Sequence, residues 1–89
     1  MTVLFNVGEI QHVKLRIYSC KNEDFEIQNA TYELMEIGKE EAEAKGSPII
    51  YDHIIDTLIA PKNKGAYSLK ITYSIADETL IEIVDVRVV

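Results

Sequence analysis

The sequence has 89 residues, with 15 Asp plus Glu against 9 Lys plus Arg and a formal net charge of -6. This length suits one domain spanning residues 1–89 and is too short for two. A single core of this size leaves little chain for a deep catalytic cleft, so we expect no enzyme. The β-branched residues, 13 Ile, 7 Val and 5 Thr, outnumber the 6 Leu and 6 Ala, which favours an all-β domain.

The acidic balance also bears on partners and location. Nucleic acids and anionic membranes are bound by clustered Lys and Arg, so neither is an expected partner. No apolar run reaches the roughly 18 residues of a membrane span, and the first residues lack a secretion signal. The single Cys20 cannot form an internal disulfide, and we interpret it as a small apolar filler. We expect a protein that is cytoplasmic as synthesised, without a cofactor.

The first half of the chain predicts two strands and a bulge. In residues 10–18, Val13 and Leu15 alternate with polar residues, which is the pattern of a half-buried strand. A second alternating segment begins at Phe25, but its apolar residues move from odd to even positions along the chain. A shift of one residue changes the exposed face, so we predict a bulge or bend at residues 28–30.

Residues 32–45 allow two interpretations. Their Glu, Ala and Lys content favours a helix, and a short helix at residues 39–45 is the alternative that it predicts. Gly38 interrupts the run, however, and the apolar stripe that a helix needs is broken. We favour two strands joined by a turn at residues 37–39.

The second half predicts further strands. Residues 49–60 are apolar and β-branched, and they form either one long strand or two short strands split at Asp52 and His53. Residues 67–75 alternate without a break, which is the strongest strand signal in the chain. The last predicted strand covers residues 79–89.

Within the last predicted strand, the apolar residues change phase. Val84, Val86 and Val88 share one face, whereas Ile81 and Ile83 fall on the other, which predicts a second bulge. In all, about seven strands separated by turns every ~8 to 12 residues predict an antiparallel β-sandwich.

The nearest approach to a metal or acid–base cluster is Asp52, His53 and Asp56. On a strand the two aspartates would share one face and His53 would take the other, so the three side chains would not converge. We interpret them as structural, with the aspartates on a solvated face or in a turn. His12 has the parity of Lys14, so we expect it to be an exposed surface histidine.

Candidate interaction residues are acidic or aromatic. The run Glu40, Glu41 and Glu43 lacks the ligand spacing of a calcium loop, so it is either a solvated surface or a docking patch for a basic partner. Tyr18 and Tyr51 lie outside the predicted core and are free to make surface contacts.

The negative charge is concentrated in the sequence. Residues 21–46 contain 8 acidic and 3 basic residues and so carry -5 of the net -6. We expect this charge to form one acidic edge or loop region.

The segment from Pro61 to Tyr67 carries a family resemblance. Pro61, Gly65 and Tyr67 precede the alternating strand as in the turn and penultimate strand of immunoglobulin-like domains. In those domains a tyrosine corner forms, in which the hydroxyl bonds back to upstream backbone. The resemblance implies a structural role for Tyr67 and a turn role for Gly65. Trp is absent and Cys20 is alone, so the tryptophan and disulfide of antibody domains are missing.

A wider pattern resembles small immunoglobulin-like structural proteins of tailed phages and prophages of Gram-positive bacteria, including the N-terminal modules of baseplate upper proteins. It spans residues 10–89 and consists of apolar, glycine and tyrosine positions at Phe25, Ile27, Ala30, Tyr32, Leu34, Gly46, Pro61, Gly65 and Tyr67. The resemblance implies a virion component with no catalytic residues.

These observations predict a non-enzymatic structural or adaptor module. We expect it to contact other proteins, or copies of itself, through its surface and its sheet edges, and residues 3–5 and the last strand are the candidates for a free edge. A small-molecule ligand is not expected. The alternative is a carbohydrate- or peptide-binding sandwich that uses residues 22–24 and the exposed tyrosines, and a third class is an enzyme built around His53.

Overall fold

The computed structural model describes residues 1–18 and 24–89, which form strands and contain no helix. The all-β prediction is therefore confirmed, and the alternative of a helix at residues 39–45 is wrong. The described residues form eight strands rather than about seven: β1 Thr2–Phe5, β2 Gln11–Arg16, β3 Gln28–Glu36, β4 Ala44–Gly46, β5 Ile49–Tyr51, β6 Ile54–Ile59, β7 Gly65–Ile75 and β8 Glu78–Val88.

The strands form two sheets. The larger sheet has the order β1-β8-β7-β3-β4, and the smaller sheet has the order β2-β6-β5. All pairs are antiparallel except β1 and β8, which run parallel with Thr2 opposite Asp85 and Phe5 opposite Val88. The sandwich prediction thus holds for the layers, while the first strand departs from the predicted antiparallel pairing.

The core lies between the two sheets and is filled by the alternating apolar residues of the long strands. Because successive side chains in a strand point to opposite faces, β7 buries every second residue along most of its length. The smaller sheet contributes Val13, Ile55 and Ile59 from its inner face. Leu34, Ile55, Leu69, Ile71 and Val86 are completely buried.

The predicted second bulge in the last strand is wrong. The ladder between β7 and β8 runs without a register shift from Gly65 opposite Val88 to Ile75 opposite Glu78. Ile81 and Ile83 therefore stay on the outer face, where they are 54% and 59% exposed. The prediction failed because it assumed that both isoleucines must be buried, whereas the inward positions of this segment belong to Leu80 and Glu82.

The other irregularities are confirmed. The β3–β7 register shifts between Gln28 and Thr31, and Asn29 has a φ of 50°, which marks the bulge. Strands β5 and β6 are separated at Asp52 and His53, with φ values of 45° and 63°. Asp and His are among the residues that most readily accept a positive φ, and two such residues in succession form a type I′ hairpin turn.

Candidate interaction surfaces

The Tyr67 hydroxyl joins two loops at one end of the sandwich. It accepts a hydrogen bond from the backbone N–H of Asn63 at 3.1 Å and donates one to Glu43 Oε1 at 3.0 Å. The other oxygen of Glu43 accepts the backbone N–H of Lys62 at 3.2 Å. The loop between β3 and β4 is thereby held against the turn that begins at the buried Pro61.

The electrostatics of this contact keep the hydroxyl protonated. Burial raises the pKa of Tyr67 above the ordinary value of 10.0; the N–H of Asn63 opposes that rise, and the Glu43 carboxylate adds to it. A protonated Tyr67 can donate to Glu43 throughout the neutral range. Glu43 is half-buried and occupied at both oxygens, so only Glu40 and Glu41 of the acidic run are freely exposed.

A second polar contact lies on the outer face of the smaller sheet. Asp56 accepts a hydrogen bond from the His12 ring at 2.7 Å and another from the Tyr51 hydroxyl at 3.3 Å. These three residues come from β6, β2 and β5, so the carboxylate connects all three strands of the sheet. Asp56 is only 8% exposed, which corrects the prediction that it lies on a solvated face.

This contact links the three strands of the smaller sheet through one carboxylate. Elsewhere, a carboxylate that orients a histidine can serve general-base, nucleophilic or metal chemistry. Thr57, the neighbouring hydroxyl, points into the core, and within residues 1–18 and 24–89 no three His, Cys, Asp or Glu side chains are arranged to hold a metal ion. Sequence reasoning missed the pairing because His12 and Asp56 are 44 residues apart.

Asp52, His53 and Asp56, whose side chains we expected not to converge, form no cluster within the described residues. Asp52 and His53 occupy the turn between β5 and β6. The His53 ring stacks on Phe25 with centroids 4.1 Å apart, and its Nε2 lies 3.0 Å from the Phe25 carbonyl oxygen. His53 therefore anchors the chain entering β3.

The acidic charge that is concentrated in residues 21–46 of the sequence is spread over separate parts of the structure. Asp24 and Glu26 precede β3, Glu40 and Glu41 follow it, and Glu33 lies within it. Glu33 is directly opposite Lys70 on one neighbouring strand and Lys45 on the other. The expected single acidic region is thus divided by a nine-residue strand.

A broad groove occupies the end of the sandwich where β3 begins. Its apolar lining comes from Phe25, Ile27, Ile50, Ile75 and Leu80, and its acidic lining from Asp24, Glu26, Asp52, Asp77 and Glu78. Among the described lining residues there is no Lys or Arg. Tyr18, which is 80% exposed, and Tyr51 also line the groove. Cys20 and Asn22 lie outside the described residues.

Strand β8 presents an unpaired half beside this groove. Because β1 pairs only with residues 85–88, no described strand lies against the same side of residues 78–84. The N–H of Asp85 donates to the Met1 carbonyl at 3.0 Å, and the N–H of Val89 donates to the Phe5 carbonyl at 2.9 Å. Since alternate residues direct their backbone groups to the same side, those of Thr79, Ile81 and Ile83 face the unpaired side. We call residues 78–84 the β8 free edge.

Comparisons with known proteins give no relative: no protein family, curated protein or solved structure matches the chain. Within the described residues, no helix is long and apolar enough to cross a membrane.

Proposed function

We propose that this protein is a non-enzymatic structural or adaptor module that associates with other proteins through its sheet edges. The observation that carries the proposal is the β8 free edge, where the backbone groups of Thr79, Ile81 and Ile83 have no pairing strand among the described residues. The side chains of Ile81 and Ile83 are also exposed there. Native sheets usually cover, twist or charge such an edge, and pairing with a strand of a partner is the common alternative.

An immunoglobulin-like arrangement is the finer fold that we propose. In that fold strands B, E and D share one sheet, and C, F and G share the other. Taking β2 to β8 as strands B, C, C′, D, E, F and G reproduces this division. The hydrogen bond from the Asn63 N–H to the Tyr67 hydroxyl supports the same assignment, since a tyrosine corner bonds to upstream backbone.

The phage or prophage origin, with a final location in the virion, rests on the sequence resemblance. It is tested by the genomic neighbourhood, where capsid, connector or tail genes on either side are the expected result. A locus without any virion gene would remove this part of the proposal and leave the edge-pairing module to stand on its own test.

The edge-pairing proposal is tested with Ile81→Pro. The Ile81 N–H points away from β7, so proline there removes a donor from the β8 free edge and leaves the β7–β8 ladder intact. Leu4→Pro is the matched control, because the Leu4 N–H faces the outer side of β1. Complexes with the products of the adjoining genes are measured by size-exclusion chromatography with light scattering.

We expect the wild-type chain and Leu4→Pro to form a complex and Ile81→Pro to lose it. Ile83→Lys keeps the backbone donors and places a charge on the outer face. It tests the same edge in case the proline variant fails to fold. A complex that survives both substitutions in the free edge, or no complex with any adjoining product, would contradict the proposal.

Carbohydrate binding is the second candidate, and the exposed Tyr18 beside a groove with acidic residues favours it. Aromatic faces and carboxylates are the groups that bind sugar rings and hydroxyls. A glycan array should then give hits that Tyr18→Ala abolishes, and an array without hits would remove this candidate.

A further inference from the structure

We propose that the β8 free edge takes up an extended segment of a partner protein in which apolar and basic side chains alternate. The inference rests on the proposed edge-pairing function and specifies the chemistry of the partner. Three features of residues 78–84 carry it: backbone groups, an apolar face and an acidic face.

The backbone determines that the occupant is extended. Thr79, Ile81 and Ile83 each offer an N–H and a C=O on the unpaired side, and a strand is the structure that satisfies such a row. Pairing ends at Asp85, because its N–H already donates to the Met1 carbonyl at 3.0 Å. The occupant therefore lies in line with β1 and continues the larger sheet.

The outer face of the free edge determines that every second side chain of the occupant is apolar. Ile81 lies opposite Thr72 of β7 and Ile83 lies opposite Lys70, yet both isoleucines stay more than half exposed on this face. A strand added alongside places its own outward side chains about 5 Å from these isoleucines.

The opposite face determines that the remaining side chains are basic. Glu78 and Glu82 take two of the inward positions of this half of β8, on either side of Leu80, and both glutamates are exposed. Asp77 and the acidic lining of the groove adjoin Glu78. Cross-strand pairs of opposite charge stabilise a sheet and like charges oppose it, so Lys or Arg opposite these glutamates fits the edge.

Charge also favours such a partner over a second copy of this chain. Antiparallel pairing of two free edges centred on Ile81 places Glu82 opposite Leu80 of the second copy. The four glutamates at positions 78 and 82 then share one face as diagonal neighbours, within reach of one another. Each copy also carries a net charge of -6.

The test attaches the proposed occupant to the chain itself. In the β1–β8 register each residue of β1 lies opposite the residue 83 positions later, so a short extension before Met1 continues alongside the free edge. The extension carries Val opposite Thr79, Ile81 and Ile83 and Lys opposite Glu78, Leu80 and Glu82. Its controls are an extension with Glu in place of Lys and one with the same residues scrambled.

The Val/Lys extension should raise the unfolding midpoint by roughly 4 °C or more, whereas neither control extension should. Glu78→Gln with Glu82→Gln should remove at least about half of that rise, because it removes the charge pairs. Glu40→Gln with Glu41→Gln makes the same change in net charge away from the edge and should leave the rise intact.

Equal stabilisation by the Glu extension, or equal effects of the two glutamine pairs, would overturn the proposed partner chemistry. A concentration-dependent dimer of the wild-type chain that Ile81→Pro abolishes would also overturn it, by making a second copy the occupant. A different result would contradict the proposed function itself: a complex with the product of an adjoining gene that survives both Ile81→Pro and Ile83→Lys. If that complex forms through the edge, it should weaken roughly threefold or more with Glu78→Gln and Glu82→Gln.

Discussion

At the scale of single residues, the Tyr67 hydroxyl holds two loops together through two hydrogen bonds. Its ring is buried in the core with 1% exposure, and its oxygen reaches the loop before β4 and the turn before β7. Glu43, at the other end of the contact, also holds the Lys62 N–H. The acidic run therefore combines one carboxylate that stabilises the fold with two that face solvent.

Replacing Tyr67 with Phe should lower the free energy of unfolding by about 1–2 kcal/mol. The substitution keeps the ring but leaves the Asn63 N–H and the Glu43 carboxylate without their shared partner. Tyr73→Phe is the matched control on the same strand, because the Tyr73 hydroxyl has no hydrogen-bond partner among the described residues and should cost less than about 0.5 kcal/mol. Urea denaturation measures both, and equal losses would contradict a structural role for the Tyr67 hydroxyl.

At the scale of elements, the hairpin of β7 and β8 is joined by a two-residue turn at Ala76 and Asp77. Ala76 has a φ of 54° and Asp77 has no positive φ, the pattern of a type II′ turn. Glycine is preferred at the first central position of this turn, because a Cβ is strained there. The turn that joins the long β7–β8 pair therefore contains a residue, Ala76, whose positive φ is strained, and it lies next to the β8 free edge.

Ala76→Gly should therefore raise the free energy of unfolding by about 0.5–1 kcal/mol, since relief of the strained φ exceeds the added entropy of the unfolded chain. Asp77→Gly provides the comparison, because it adds the same entropy without relieving strain and should destabilise. Chemical denaturation of both variants gives the sign directly, and a destabilised Ala76→Gly would refute this account of the turn.

At the scale of the whole molecule, β1 connects the two ends of the chain by pairing with β8. Phe5 is fully buried in the common core, and its carbonyl accepts the N–H of Val89 at 2.9 Å. Because β1 is four residues long and pairs only with residues 85–88, residues 78–84 have no partner strand on that side among the described residues. A single short element therefore contributes to stability and also defines the proposed binding edge.

Phe5→Ala should cost about 3–5 kcal/mol, which is a large share of the roughly 5–15 kcal/mol available to a small domain. Leu4 is the adjacent residue and is 64% exposed on the outer face, so Leu4→Ala should cost less than about 1 kcal/mol. The two unfolding curves in urea provide the comparison. Similar losses at both positions would show that β1 is not seated in the core.

The parts of the fold that could be predicted from the sequence are those decided locally. The bulge near Asn29 and the split at Asp52 and His53 follow from changes in alternation and from residues that accept a positive φ. Residues 39–45 were ambiguous because propensity favours a helix there, whereas the pairing of Ala44 with Leu34 and the contact of Glu43 with Tyr67 favour an extended loop and strand.

The sequence by itself determined that this chain is an all-β sandwich, because strand periodicity and turn residues act over a few neighbouring positions. Only the tertiary structure decided that β1 runs parallel to β8, that His12 meets Asp56, and that Ile81 and Ile83 remain outside. These features depend on which strands become neighbours, and that choice is made by packing between residues far apart in the chain. The sequence offered the last strand as a candidate free edge, but the half of it that stays unpaired depends on where its pairing with β1 ends.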